Sequence, residues 1–360
     1  MAPMILLSFV LFSFVCFYTG LDNVVKGLEC QLNPNNPAKV WYTLSVSPPA
    51  RHESNSNFTI KRENGQLSYT SIQAAIDSIT DGNDKWIRIF KINLHKSCIL
   101  LEGRYAQKTL IEFNAHQDTL ESATFTSLAE NFVAKHITFV NTHNYNLYGR
   151  GTRNQNANAN DVTQAVAAMI YGDKSAFYSC GFFGVQDTLW DSQGRHYFKN
   201  CYIDGAFDFI MGNGQSIYDE CIIRVLGNAI AAYGGVGYIT AQSRSSDEDP
   251  SGFVFKGGVV EGNGKAWLGR AWGSHSRVIF NDKKIKSKQK FNDIIVPERW
   301  SPWDFENDPV KHFTYTDQNC DGPGNDTSRR QFNTTLTDLQ MQQFIDLSYI
   351  VAEGWISNQP

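Results

Sequence analysis

The segments FKNCYIDG at 198–205 and FKGGVVEG at 255–262 are two variants of one pattern, and their recurrence decides the fold. Looser relatives stand at 177–184 (FYSCGFFG), 218–225 (YDECIIRV) and 133–140 (VAKHITFV). A marker position in the pattern falls at His136, Cys180, Cys201, Cys221 and Gly258, in steps of 44, 21, 20 and 37 residues. Those steps read as two coils, one, one, and one with an inserted loop. From about residue 120 onward, short β-branched and aromatic runs alternate with Gly/Asn turns, and no long stretch carries clean helical periodicity. Periods of about 20 residues without intervening helices predict an all-β single-stranded solenoid, a parallel β-helix in which each coil stacks on the last. A β-sandwich is the alternative.

In such a stack, residues one period apart lie one above the other at the inter-strand spacing of about 4.8 Å. Cys180 and Cys201 then come within disulfide reach, and a disulfide is expected there, with a reduced, buried cysteine ladder as the competing arrangement. The same counting applies to polar residues. Gln164 and Gln186 are 22 apart, and Asp187 and Asp208 are 21 apart. Two amides and two carboxylates should therefore cluster on neighbouring coils. Stacked carboxylates cannot both ionise cheaply, which leaves one protonated acid beside one charged base or nucleophile, a division that suits ester hydrolysis. Singly, each of these residues reads as a turn acceptor or a solenoid ladder; their common period selects them. Arg270 in LGRAW and Trp272 add a permanent cation and a stacking plane suited to an anionic sugar polymer, although alone they read as a surface Arg and a half-buried Trp.

With 360 residues, 42% hydrophobic and 19% charged, the chain can bury a sizeable core as one large all-β domain. Its net charge of −4 offers no positive field for a nucleic-acid backbone. Residues 1–21 carry no charge, and Met4 to Tyr18 form an apolar run of signal-peptide length. A signal peptide over 1–20 is expected, with an uncleaved anchor as the alternative, then an extension over 21–64 and the β-helix domain over 65–360. Apolar residues at helical spacing (Leu339, Phe344, Leu347, Ile350) predict a C-terminal helix packed on the stack. Without Cys16, six cysteines remain, an even count that permits disulfides in a secretory compartment. Sequons at Asn57, Asn325 and Asn333 fit secretion. C-x-x-C, G-x-S-x-G, H-E-x-x-H and G-x-G-x-x-G are all absent, and His136, His143, His196 and His275 follow no metal-ligand spacing. Neither a metal nor an organic cofactor is expected.

QAVAA from Gln164, GVQDTLW from Gly184, DFIMG from Asp208 and LGRAW from Leu268 resemble, in order and spacing, the signature segments of plant pectinesterases. The similarity runs from about Tyr69 to the C-terminus and includes SATF at 122–125, NFVAKHITFVNT at 131–142 and GPG at 322–324, without an evident inhibitor-like pro-domain. The resemblance implies a right-handed parallel β-helix that removes methyl esters from homogalacturonan in the plant cell wall. It implies that Asp208 is the nucleophile, Asp187 the proton donor and then base, and Gln186 with Gln164 the stabilisers of the oxyanion. Arg270 would hold Asp208 ionised and, with Trp272, Gln164 and Thr119, contact the sugar chain. Pectin is the implied partner of a secreted monomer, with a proteinaceous inhibitor as a further partner class.

The sequence departs from the family at Met211 (usually Phe), Ala271 (Pro), Ala168 (Leu) and Trp190 (Tyr). At 91–103, KINLHKSCILLEG is shorter than its counterparts by roughly ten to twenty residues, less than one coil, which predicts a register slip or a local rebuild of the early coils. Two other readings compete with the esterase: a retaining glycosidase acting on pectin, which also uses two carboxylates, and a non-catalytic pectin-binding solenoid.

Overall fold

The computed structural model describes residues 99–359 with breaks at 104, 150–161, 234, 282–289, 292–293, 309–311, 321–327 and 352, and the backbone alone at 58–62, 65–69 and 290–291. The expected signal peptide, Asn57 and Asn325 lie outside the described residues. Strands β1 (Phe58–Arg62) and β2 (Gly65–Tyr69) form an antiparallel hairpin. The coils follow. The first holds β3 (Ile99–Glu102), β4 (Leu110–Phe113) and β5 (Phe125–Ser127), and the second β6 (Phe132–Lys135), β7 (Thr138–Asn141) and β8 (Ala168–Ile170). Next come β9 (Ser175–Tyr178), β10 (Gly181–Phe183) and β11 (Leu189–Asp191), then β12 (Arg195–Lys199), β13 (Tyr202–Gly205) and β14 (Ile210–Gly212). The fifth coil has β15 (Gln215–Asp219), β16 (Ile222–Val225) and β17 (Gly237–Gln242), and the sixth β18 (Gly252–Lys256), β19 (Val259–Gly262) and β20 (Ala266–Ala271). Strands β21 (Arg277–Asn281), β22 (Lys290–Phe291), β23 (Trp300–Ser301) and β24 (Thr314–Gln318) complete the stack.

Every third strand pairs in parallel with the next, giving one eight-stranded sheet (β3 to β24) and two seven-stranded sheets (β4 to β22 and β5 to β23). This is the parallel β-helix that the repeat predicts. Cys180, Cys201, Cys221 and Gly258 occupy one column, since Gly181 pairs with Tyr202, Tyr202 with Ile222, and Ile222 with Val259. His136 does not belong to it: Gly181 pairs with Thr138, so the marker of the second coil is Ile137 and the first step is 43 residues. The similarity of VAKHITFV to the other segments slips by one because Val133 pairs with Ala176 rather than with Phe177. From Ile99 onward no register slip follows the shortened segment, as Ile99 pairs with Phe132 in an unbroken ladder; residues 91–98 lie outside the described ones.

Inside the stack, Phe177, Phe198, Tyr218, Phe255 and Phe280 pile face to face at centroid separations of 5.0, 4.6, 4.5 and 4.3 Å. Each ring is buried, so the column contributes both apolar burial and ring–ring attraction of roughly 0.5–1.5 kcal/mol per pair. The expected Cys180–Cys201 disulfide is not formed. Both thiols are free and buried, as is that of Cys221. Cys201 Sγ lies 3.4 Å from Phe177 O and Cys221 Sγ 3.4 Å from Phe198 O, each donating to a carbonyl of the coil beneath. Cys180 Sγ likewise donates to Tyr178 O and Cys201 Sγ also to Lys199 O, so the reduced ladder satisfies its thiols without a cross-link.

Helices are short. Two of seven residues, α1 (Thr142–Tyr148) and α2 (Gly227–Tyr233), occupy loops after β7 and β16, too brief to leave a periodic signature. The expected C-terminal helix is α3 (Asp338–Ile345), begun by a capping box between Thr337 and Gln340. Its packing agrees with the sequence reading at Phe344 and Ile350 and departs from it at Leu339 and Leu347. Met341 and Ile345 are buried, whereas Leu339 is 74% exposed, because the cap sets a helical phase that turns 341 and 345 toward the sheet. Met341, Ile345, Ile350 and Trp355 cover a row of outward residues, Val133, Ala176, Tyr197, Ile217, Val254 and Ile279, one from each successive coil. We expect Ile345→Ala to cost about 2–4 kcal/mol in urea unfolding, whereas Leu339→Ala should stay within about 0.5 kcal/mol. Equal costs would mean that the strap is not held by this face.

Candidate active site

Two local copies of one turn build the acidic pair. In GVQDT (184–188) and GAFDF (205–209), a glycine ends the strand of one sheet and an aspartate three residues later opens the next. A Cβ on Gly184 would stand 2.7 Å from Thr188 Oγ1, and one on Gly205 2.1 Å from Phe209 Cβ, so glycine makes room for the residue after each aspartate. Asp187 and Asp208 both hold left-handed backbone, with φ of 61° and 48°. This conformation costs about 1–2 kcal/mol for most residues and is tolerated better by Asp. Because Leu189 pairs with Ile210, the aspartates two positions earlier stack on adjacent coils. Gln164 bridges Gln186 in parallel, and Gln186 bridges Phe207, which aligns the backbones of the positions preceding the two acids on neighbouring coils.

The two carboxylates are buried, at 4% and 2% exposure, but differently partnered. Asp208 accepts from Arg270 through both oxygens, Nε at 2.6 Å from Oδ1 and Nη2 close to Oδ2. Burial raises Asp208 while this guanidinium fork opposes the rise and favours the anion. Asp187 has no such cation in direct contact. It accepts one hydrogen bond, from Thr119 Oγ1 at 3.2 Å. Burial first, and then the negative charge of Asp208, push Asp187 up to about 7.

Around the fork stand three aromatic rings. The Arg270 guanidinium lies 3.7 Å from the Trp303 centroid, 4.8 Å from Tyr238 and 5.7 Å from Trp272. Trp272 and Trp303 are 51% and 43% exposed, enough to offer their faces to a ligand. Arg270 itself belongs to an outward row in which Met169 pairs with Trp190, Trp190 with Met211, Met211 with Ala241 and Ala241 with Arg270. Met169, Met211 and Ala241 pack together with Trp190 as the apolar floor next to the acids, so two of the departures from the family pattern meet here.

The structure thus gathers Asp187, Asp208, Thr119, Arg270 and Trp272, and aligns Gln164 with Gln186. Thr119 sits against Asp187. Sequence reasoning missed Tyr238 and Trp303. Ser301 pairs with Arg270, which places Trp303 two residues on, but a loop between the two coils hides that step from counting.

The sequence profile of the family described as Pectinesterase matches residues 59–353. The chain belongs to the pectinesterase family. It is 43% identical over 309 residues to probable pectinesterase 55 of Arabidopsis thaliana, covering 83% of this chain and 89% of that protein. Probable pectinesterase 29 of the same plant is 42% identical over 312 residues, covering 83% and 88%. Among solved structures, pectin methylesterase from carrot superposes with a TM-score of 0.66 at 25% identity, covering 80% of this chain and 91% of that one. A pectin methylesterase solved in complex with a hexasaccharide shares the fold, with a TM-score of 0.63 at 21% identity over 87% of this chain and 98% of that one.

The raised Asp187 links this site to stability. In the folded chain it keeps its proton up to about 7, whereas an unfolded Asp releases it near ~3.9. The folded state therefore holds more protons between these values, and stability falls as pH rises through that window. Asp187→Asn cannot ionise. In calorimetry its Tm should gain on the parent between about pH 4 and about pH 7 and gain little more above; a pH-independent difference would contradict the raised carboxyl.

Proposed function

We propose that the protein is a carboxylic ester hydrolase that removes methyl groups from pectin through an aspartyl acyl-enzyme. The observation that carries this reading is the asymmetry of the acidic pair: Asp208 bears a bidentate arginine and Asp187 does not. Asp208, held as the anion, attacks the carbonyl carbon of a galacturonate methyl ester. The carbonyl electron pair moves onto oxygen, and the side-chain amides of Gln186 and Gln164 donate to that oxyanion. As the tetrahedral centre collapses, protonated Asp187 gives its proton to the departing methoxide, and methanol leaves. The remaining species is a mixed anhydride of Asp208 and galacturonate. Asp187, now charged, takes a proton from water as the water oxygen attacks the galacturonate carbonyl, which returns Asp208 as carboxylate and frees the acid product.

Both halves of the cycle require Asp187 to gain and lose a proton near neutrality, and its position at about 7 suits that duty. Thr119 steadies the same carboxylate. Trp272, Trp303 and Tyr238 provide stacking surfaces for sugar rings beside the reacting centre, and Met169, Trp190 and Met211 pack together in the neighbouring apolar cluster. The expected route to the plant cell wall belongs to the same reading; Asn333 is exposed and accessible to a glycan.

A methanol-release assay on esterified pectin tests this assignment. Asp208→Ala should lose activity, and Asp187→Asn should lower kcat by about 10²–10⁴-fold while retaining pectin binding. Arg270→Lys should also reduce turnover, since the planar fork on Asp208 is lost. New reducing ends without methanol would identify a glycosidase instead. Absence of activity in the parent chain, with pectin still bound, would make it a non-catalytic binding solenoid.

A further inference from the structure

We propose that Asp247, His275 and His312 form a site for a zinc-class divalent transition ion on the rim of the β-helix, outside the acidic pair. His275 lies in the turn after β20, and His312 shortly before β24. Since Arg277 pairs with Thr314, positions 275 and 312 fall one above the other, and their rings stack at 4.3 Å between centroids. From the loop after β17, Asp247 places Oδ2 3.8 Å from His275 Nε2 and 3.8 Å from His312 Nδ1. The three donor atoms lie within 4.8 Å of one another. A tetrahedral ion with bonds of ~2.0–2.1 Å needs its donors about 3.4 Å apart, so small side-chain rotations close the cluster around a cation. Two imidazoles and one carboxylate favour Zn²⁺, Ni²⁺ or Cu²⁺ over the hard Ca²⁺ and Mg²⁺. Asp247 and His312 are exposed, which leaves the remaining coordination to water.

The surroundings are built to hold these donors. Arg244 is 2% exposed, and its guanidinium donates to the carbonyls of Asp249 (2.7 Å), His275 (2.9 Å) and Asp247 (2.9 Å). One buried cation thereby fixes the backbone of two of the three ligand residues. It faces Asp247 from the Oδ1 side, at 3.8 Å, and leaves Oδ2 to the histidines. Ser274 Oγ lies 2.9 Å from His275 Nδ1, an outer partner that orients the ring with Nε2 toward Asp247. The spacings from Asp247 to His275 and on to His312, 28 and 37 residues, are coil steps and match no short ligand motif. An ion here would tie the rim turns of three successive coils together, three residues from Trp272.

Isothermal titration of the full chain with ZnCl₂, after EDTA treatment and dialysis, tests the site. One equivalent of Zn²⁺ should bind, CaCl₂ should give no comparable heat, and free Zn²⁺ at about 100 times Kd should raise Tm by about 4 °C. His312→Ala and Asp247→Asn, at side chains 39% and 69% exposed and so compatible with folding, should each weaken Zn²⁺ at least about tenfold. No zinc heat and no Tm change in the parent up to about millimolar metal would overturn the proposal, leaving Asp247 as no more than a polar neighbour of the two histidines. Unchanged affinity in both variants would also overturn it, moving any zinc to other donors such as the stacked His116–His143 pair.

Discussion

Each coil hydrogen-bonds to the next through parallel ladders, so the neighbours of a side chain above and below are fixed by counting residues. Core, thiol column and acidic pair all obey that one spacing. It is what brings two carboxylates from positions 187 and 208 into mutual contact with one electrostatic field, and what lets a single arginine two coils further along reach only the second of them. A fold with looser pairing could hold the same residues without distinguishing them. Here the distinction between a paired and an unpaired carboxylate follows from vertical position alone.

The site also concentrates cost. Both aspartates adopt left-handed backbone and both are nearly without solvent, conditions that oppose folding unless the surroundings over-determine them. Ladders on either side of each turn and the close packing of Thr188 and Phe209 against glycine supply that determination. The acidic pair is thus held by backbone ladders rather than by free loops. Trp272 and Trp303 are the site's most exposed rings, while Thr119, Gln164, Gln186, Tyr238 and Arg270 are half-buried.

Wherever coils were short and free of insertions, the sequence was enough. Cys180, Cys201 and Cys221, and likewise Asp187 and Asp208, were placed correctly by arithmetic, because turns of fixed length keep the period. Long loops broke the count. Trp303 and Tyr238 come to Arg270 across insertions that no periodicity spans, and His136 was mistaken for Ile137 because a one-residue offset leaves the apolar pattern similar. The cysteine bond is absent although the proximity holds, because the Cys201 and Cys221 thiols donate instead to carbonyls of the coil beneath. At the C-terminus the helix was visible in composition, while its buried face depended on the capping box at Thr337.

The strap of Met341, Ile345, Ile350 and Trp355 follows every coil in the sequence, yet it shares one buried cluster with a row of outward residues that begins at Leu100. A chain leaving the ribosome in order can wind and stack its coils as they emerge, but their greasy outer stripe stays bare until residues 341–355 follow. Maturation therefore passes through a nearly complete solenoid with one wet apolar flank, the stage at which chaperone capture or clumping competes with closure. A chain stopped before Met341 would keep that bare flank permanently, with Asp187 and Asp208 already in place.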